Sequence, residues 1–456
     1  MKHYARSRSW CEWEQFDTWQ GRALAQLAAP DAQALPPFHL LSLPGISAAQ
    51  QRDCAERWMH ERLGLSADAR AAMALEFAAS TRKEEAPGRR LRLGYLSSDF
   101  HQHATALLMV EMLEAHDREH FELHAYSYGA DDGQGMRARL QRRFEHFSDI
   151  TALDDAAAAR AIHADGIDIL IDLKGFTAGT RSALLSYRAA PLQVSFLGYP
   201  GTLGGSLCDY LISDRFITPI DAAADYSEQL ACLPHSYQPH GRQATIGPRP
   251  MRAAQGLPAR GLVLCCFNQS YKFTPEVFDI WCRLLAQTPG SVLWLLGHAQ
   301  AEGNLRAEAM ERGIAPQRLV FAPDCAQAEH LARLQLADLV LDTSPYNAHT
   351  TASDALWAGV PLLTCAGSTF ASRVAGSLLH AVGLPELVTH SLADYAALAA
   401  DLVNRPQRLR ALRRKLARQR MTAPLFDVPA YTHSLEALFA AMWQRHASGL
   451  APATLG

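Results

Sequence analysis

The sequence lacks most of the marks by which an enzyme class is read from a chain. It has no G-x-S-x-G, H-E-x-x-H, Walker A or G-x-G-x-x-G pattern. Those absences argue against a serine hydrolase, a zincin, a P-loop NTPase and a standard dinucleotide-binding domain. It has no C-x-x-C pair. Its nine cysteines are scattered, and Cys265-Cys266 lie inside a strand-like run. This usage points to reduced, packed thiols in a cytoplasmic protein. No apolar run approaches the ~20 residues that cross a bilayer. Met1 to Cys11 is polar and aromatic, without the apolar core of a secretory signal. A net charge of -3 supplies no bulk field toward nucleic acid or membrane. No acidic cluster suited to Mg²⁺ or Mn²⁺ stands out, and no repeat with the period of a helical solenoid is present.

What is there is ordinary in bulk. Of the 456 residues, 48% are apolar and 20% charged, enough for two or three domains with large cores. His116, His120 and His124 recur every four residues, as on a metal-binding helix face. However, Phe121 to Tyr126 alternates like a strand, which would break that face.

Residues 1-85 read as a helical, aromatic-rich segment, with Trp10, Trp13, Trp19 and Trp58 interrupted by Pro36-Pro37 and Pro44-Gly45. The charged run Arg82 to Arg90 reads as a linker. From Leu91 strands and helices alternate. Strands are expected at Leu91 to Leu96, Phe121 to Tyr128, Gly166 to Leu173 and Gln193 to Leu197. Gln238 to Leu257 is rich in Pro, Gly, Arg and Gln without periodicity, and marks a boundary. A second series begins at Leu262, with strands near Ser291 to Leu296, Arg318 to Phe321 and Leu336 to Leu341. Such alternation builds parallel sheets covered by helices. The expected domains are 86-245 and 255-425, with a C-terminal helix over 426-456. Arg405 to Arg420 carries eight basic residues in sixteen, which reads as the solvated face of a helix.

Two polar strand ends carry chemistry. The apolar run Leu336 to Leu341 empties into Asp342-Thr343-Ser344-Pro345-Tyr346-Asn347-Ala348-His349-Thr350-Thr351-Ala352-Ser353-Asp354, and a helix-like run follows over Ala355 to Gly359. The first amides of a helix lack internal acceptors and carry the positive end of its dipole, so such a turn can seat a phosphate. The same pattern also fits a plain capped helix. Leu262 to Phe267 reads as a buried strand followed by Asn268-Gln269-Ser270-Tyr271-Lys272-Phe273-Thr274-Pro275-Glu276. Thr274-Pro275 has the form of an N-cap with proline at the first helical position. Lys272 is expected there as an exposed, mobile cation suited to a phosphate. Ligands in open α/β sheets gather at strand carboxyl ends, and a cleft between two tandem domains is a favoured place for them.

In order along the chain, the motifs Gly94-Tyr95-Leu96-Ser97-Ser98-Asp99-Phe100 with His103, Leu197-Gly198-Tyr199-Pro200-Gly201-Thr202, Asp209-Tyr210-Leu211-Ile212-Ser213-Asp214, Phe267-Asn268-Gln269-Ser270-Tyr271-Lys272, His349-Thr350-Thr351 and Ala371-Ser372-Arg373-Val374-Ala375 resemble the catalytic region of the O-linked N-acetylglucosamine transferase family. The match runs from about Leu91 to Trp443. The resemblance implies a GT-B type α/β fold, with two Rossmann-like domains facing an interdomain cleft, a helical N-terminal segment and C-terminal helices. It implies a UDP-sugar donor, with N-acetylglucosamine as the sugar, a polypeptide Ser/Thr acceptor, inversion, and no metal or cofactor. It gives Lys272 the diphosphate and places His349, Thr350 and Thr351 on the phosphates at a helix amino terminus. His330, Arg333 and Asp354 lie around the nucleoside, Gln269 faces the donor, and His103 and His146 stand near the transfer centre. His103, after a strand end, stands where a general base would meet an acceptor hydroxyl.

The chain departs from the family pattern in three ways. Gln327 stands where animal members have a lysine, and Leu107 where they have a second histidine. The helical repeat domain that presents acceptors is absent or reduced to residues 1-85, so a repeat-bearing adaptor protein is a candidate partner. These departures keep two other readings open: a UDP-glucose-dependent asparagine glycosyltransferase, and a non-catalytic UDP-sugar-binding module.

Overall fold

The computed structural model describes residues 2–29, 32–63 and 88–456. Most of the expected linker Arg82 to Arg90, and the part of the N-terminal segment beyond residue 63, lie outside the described residues. The chain divides into two compact units. One comprises Asp31–Leu40, Ser47–Gly241 and Asp427–Gly456; the other comprises Met1–Pro30, Leu41–Ile46 and Arg242–Phe426. The division at Gly241 and Arg242 falls inside the aperiodic stretch Gln238 to Leu257.

The first unit is built on seven parallel strands: β1 (Leu91–Ser97), β2 (Phe121–Ser127), β3 (His146–Asp149), β4 (Ile169–Asp172), β5 (Leu192–Ser195), β6 (Tyr210–Asp214) and β7 (Gln229–Leu233). Their order is β3-β2-β1-β4-β5-β6-β7. Strands β4 and β5 are buried along their whole length. That burial accounts for the apolar run Ile169-Leu170-Ile171 of β4, since helices cover both faces of a parallel sheet. The chain returns to this unit after Asp427. The helix Val428–Ala447 packs on the helix Ala104–Ala115. Glu436 there accepts from His116 Nδ1 at 2.8 Å, and Tyr95 Oη lies 2.8 Å from His116 Nε2, a buried chain of polar groups.

The second unit carries six parallel strands: β8 (Val263–Cys266), β9 (Val292–Leu296), β10 (Leu319–Ala322), β11 (Leu339–Leu341), β12 (Leu362–Cys365) and β13 (Val388–Thr389). Their order is β10-β9-β8-β11-β12-β13. Thr274 caps the helix Pro275–Gln287, accepting from Val277 N at 3.3 Å, and Pro275 is its first residue. The helix Pro406–Gln419 buries Leu409, Leu412 and Leu416, while its flanking arginines pair at the surface, Arg405 and Arg408 with Asp401. The N-terminal helix α1 (Lys2–Trp10) also belongs to this unit and packs against the short turn of 3₁₀ helix Ser270–Lys272. The segment read from sequence as one block is therefore shared: α1 and Phe16–Ala28 lie with the six strands, and Ala48–Leu63 with the seven.

Two local expectations are corrected. The strand foreseen over Leu336 to Leu341 is confined to Leu339–Leu341, because Leu336 N and Ala337 N still close the preceding helix on Arg333 O and Leu334 O. The helix foreseen from Ala355 starts at Thr350 instead. Among the described residues, no helix is long and apolar enough to cross a membrane. Eight of the nine cysteines are buried and Cys325 is exposed.

Candidate functional site

In both sheets the strand order reverses beside the first strand of the series, between β1 and β4 and between β8 and β11. Neighbouring loops diverge at such a point and leave a crevice at the carboxyl ends of the strands. The expected site residues of the six-stranded unit collect there.

Lys272 was expected to be exposed; it is buried, with 8% of its surface accessible. Its Nζ donates to Asn347 O at 2.8 Å and stands 3.7 Å from the centre of the Tyr346 ring. Both partners come from the loop after β11, which folds over the lysine. Burial pushes its ammonium down to about 8, against the pull of the Asp342 carboxylate. Burial likewise pushes Asp342 up, to about 6, against its hydrogen bonds. Asp342 Oδ1 accepts from Thr343 N (2.7 Å), Ala348 N (2.6 Å) and Asn268 Nδ2 (3.2 Å), and Oδ2 from Thr364 Oγ1 (2.6 Å). This carboxylate moulds the loop around itself and leaves Lys272 as a cation whose direct contacts are a carbonyl and an aromatic face.

His349 caps the helix Thr350–Trp357, whose first amides at Thr350 and Thr351 have no helical acceptor. Its Nε2 is 3.2 Å from Ala371 O. A carbonyl only accepts, so the ring proton sits on Nε2. Burial, with Lys272 second, holds His349 well below the usual imidazole range, and the ring is neutral. Thr351 Oγ1 donates to Asn268 Oδ1 and ties the helix start to the end of β8. Lys272, His349, Thr350 and Thr351 are thus brought together.

His330 and Arg333 lie one turn apart on the helix Gln327–Leu334, which Gln327 itself opens. Arg333 Nη2 donates to His330 Nδ1 at 3.1 Å, leaving the His330 proton on Nε2, 4.0 Å from Asp354 Oδ2. Burial lowers the His330 value; Asp354 opposes that and Arg333 reinforces it. The Arg333 guanidinium lies 4.8 Å over the Phe267 ring, and its Nε is buried without a partner. His330, Phe267, Asn268, Ala348 and Thr351 line one pocket. Gln269 stands exposed at the start of the Ser270–Lys272 turn. The roles of Asp342, Asn268 and Tyr346 escaped the sequence reading. Their only signal was position, immediately after the two strands that flank the reversal.

In the seven-stranded unit, His103 is the N-cap of the helix Ala104–Ala115, and its Nδ1 accepts from Thr105 N at 3.2 Å. Asp99, at the exit of β1, is bound by Lys174 Nζ through both oxygens, at 2.8 and 2.9 Å. Lys174 sits at the exit of β4, so this cluster occupies the other reversal. His146 is elsewhere. It opens the edge strand β3 in register with His124 and Gly94, three residues short of the end of β1. It is exposed, and its contacts are with Glu122 at 3.4 Å and with the His124 ring. No hydrogen bond or ring contact joins it to His103.

The metal-binding face of His116, His120 and His124 is not formed, because the chain enters β2 at Phe121. His116 is buried against Tyr95 and Glu436, and His120 pairs with Asp117. A different group, Glu122, His124 and His146, brings its ligand atoms within 4.8 Å of one another. The two rings stack at 4.4 Å, tilted by 29°, so their in-plane lone pairs do not converge. Arg90 already donates to Glu122, at 3.0 Å.

The sequence pattern of glycosyl transferase family 41 matches residues 11–246 and 241–435 of the chain. A relative from Arabidopsis thaliana, the probable UDP-N-acetylglucosamine--peptide N-acetylglucosaminyltransferase SEC, is 40% identical over 378 residues, covering 81% of this chain and 39% of its own length. The UDP-N-acetylglucosamine--peptide N-acetylglucosaminyltransferase of Caenorhabditis elegans is 32% identical over 477 residues, covering 80% and 41%. The chain thus spans about two fifths of the length of these relatives. Among solved structures, a mutant of the Thermobaculum terrenum O-GlcNAc transferase superposes with a TM-score of 0.81 at 28% identity, covering 97% of this chain and 83% of that one.

Proposed function

The chain belongs to glycosyl transferase family 41, and from that premise we propose that it transfers N-acetylglucosamine from UDP-N-acetylglucosamine to a serine or threonine of a polypeptide, with inversion and without a metal. The observation that carries this reading is the buried ammonium of Lys272, held on Asn347 O just before the amino terminus of the helix Thr350–Trp357.

Transfer breaks the bond between the anomeric carbon and the diphosphate, and negative charge grows on the leaving oxygen. Fixed donors in a site closed to water stabilise such charge without reorganising. Lys272 and the amides at Thr350 and Thr351 are donors of that kind, and neutral His349 adds no competing charge. Burial makes the free ammonium costly and its interaction with a diphosphate correspondingly strong. Asp342 engages both oxygens with four internal donors. It is therefore poorly placed to recruit a divalent cation, which supports metal independence. On this reading His330, Arg333 and Asp354 hold the nucleoside, with the unpartnered Nε–H of Arg333 as a ready donor, and Gln269 reaches the donor from the mouth. His103 is the residue proposed to contact the reacting groups. Acceptor selection lies outside these residues, and a repeat-bearing adaptor is the proposed source of it.

Titration calorimetry with UDP tests the donor half. Labelled UDP-N-acetylglucosamine and a polypeptide panel, read by intact-protein mass spectrometry, tests the transfer. Saturable UDP binding and N-acetylhexosamine on Ser or Thr are expected. A folded protein that binds no UDP would overturn the reading, and hexose on asparagine would redirect it to the glucosyl chemistry.

A further inference from the structure

The cluster at the reversal between β1 and β4 bears on what His103 can do. Ser97 Oγ accepts from Asp99 N at 2.9 Å and turns the chain as it leaves β1. Asp99 is buried, and Lys174 Nζ donates to both of its oxygens; Ser98 Oγ donates to Oδ1 as well. Lys174 is itself fixed. Asp172 accepts from Lys174 N at 3.3 Å and from Gly175 N at 2.7 Å. Gly175 has φ +52, and a Cβ there would meet Tyr199 Cβ at 2.3 Å, so the turn admits no other residue without moving.

His103 Nδ1 faces two competing partners. Asp99 Oδ2 lies 3.5 Å away and would accept a proton from Nδ1. Thr105 N lies 3.2 Å away and can only donate to it. These demands are exclusive, since a neutral imidazole carries its proton on one nitrogen. Lys174 already satisfies Asp99 at shorter distances, so the backbone amide holds Nδ1. The other nitrogen, Nε2, then bears the hydrogen, on a side chain that is 41% exposed.

We propose that Lys174 is a positioning residue: by holding the Asp99 carboxylate it keeps Nδ1 of His103 on the Thr105 amide, so that His103 presents an Nε2–H donor, not a basic nitrogen, at the carboxyl ends of β1 and β4. This rests on the reading that His103 touches the reacting groups. In that role His103 hydrogen-bonds an oxygen of the ligand and orients it. The groups that face its ring are Asp99 and Lys174, with His101 at 5.8 Å between ring centres. Burial is the largest influence on His103 and lowers its value; Asp99 raises it, and Lys174 and His101 lower it further. A second proton, on Nδ1, would leave Nε2–H in place but meet the Thr105 amide head-on, so the Thr105 contact belongs to the neutral ring.

Long-range ¹H–¹⁵N spectra of ¹⁵N-histidine-labelled protein, with His103→Gln used to assign the signal among the 19 histidines, read the tautomer directly. The unaltered protein should show His103 protonated on Nε2. In Lys174→Met the freed Asp99 should draw the proton to Nδ1, and the ¹⁵N titration of His103 should move up by about one pH unit. Protonation on Nδ1 in the unaltered protein overturns the proposal, as does a Lys174→Met protein in which the tautomer and the titration of His103 are unchanged. If Lys174→Met fails to fold, the spectrum of the unaltered protein decides alone. Failure to bind UDP would strike the transferase reading and leave the tautomer result standing.

Discussion

Lys272→Met is the substitution that most directly tests the donor site. Methionine nearly matches the length of lysine and removes the charge. In the unaltered protein the ammonium is buried against Asn347 O and the Tyr346 ring, with Asp342 nearby. Taking a cation out of water is unfavourable, and this offsets the attraction to Asp342 that the substitution removes. Asp342 retains its four hydrogen bonds in the variant, so the loop around Asn347 keeps its frame. The melting temperature should therefore stay within a few degrees of the unaltered protein or rise. Turnover should not stay. Removing one donor aimed at developing charge typically lowers the rate by about a hundred- to a thousandfold, or roughly 3 to 4 kcal/mol. UDP affinity should fall less, by about tenfold, because the helix amides at Thr350 and Thr351 still meet the phosphates and because the donor matters most in the transition state. Initial rates with labelled donor, calorimetry with UDP and a thermal melt measure the three quantities. A variant that melts normally and transfers sugar at near the unaltered rate would refute the role given to Lys272, leaving the helix terminus alone to stabilise the leaving group.

Three further outcomes follow from the same geometry. Because burial lowers Lys272 to about 8, the ammonium that UDP requires is half present at that pH, nearly complete well below it and lost above it. UDP affinity should thus decline as pH rises from 8 to 9.5, with proton uptake on binding in that window; a flat affinity by calorimetry contradicts this. Asp342→Asn puts an amide where four donors converge, and should cost about 3 to 5 kcal/mol of stability in urea unfolding. A loss below about 1 kcal/mol would show that the loop has another frame. Arg8, only 2% exposed, donates from Nε and Nη2 to Tyr271 O and braces the turn that carries Lys272. Arg8→Leu should lower stability by about 1 to 3 kcal/mol through the unpaired carbonyl. It should also weaken UDP binding severalfold by calorimetry, and an unchanged affinity would separate α1 from the donor site.

How far the sequence could be read depends on how local each signal is. Strand β8 stood out because both its faces are buried and its run is apolar throughout. Thr274-Pro275 announced its helix because capping needs only the next three residues. The Thr350 helix was placed late because hydroxyl residues look like loop. Ser353 instead turns its Oγ onto Thr350 O inside the first turn, where sequence pattern gives no sign of it. Strand β3 is short, lies at the edge of its sheet and has no buried residue, so no periodicity marked it. His146 was consequently grouped with His103 by motif alone.

From the sequence alone came the alternation of strand and helix, the boundary near Gln238 to Leu257, and the two polar strand ends. Ordered motifs supplied the family. These properties reside in short windows, where apolar spacing, caps and turns act between neighbours. Only the tertiary structure decided the state of each group. Lys272 is a buried, weakened cation and not a mobile surface one because Tyr346 and Asn347, more than seventy residues onward, close over it. Lys174 holds the Asp99 carboxylate, and so leaves Nδ1 of His103 to the Thr105 amide, because the sheet sets β1 beside β4. Charge, tautomer and burial depend on what stands within a few ångströms in space, and the order of strands in a sheet, which determines those neighbours, is not written in any local stretch of the chain.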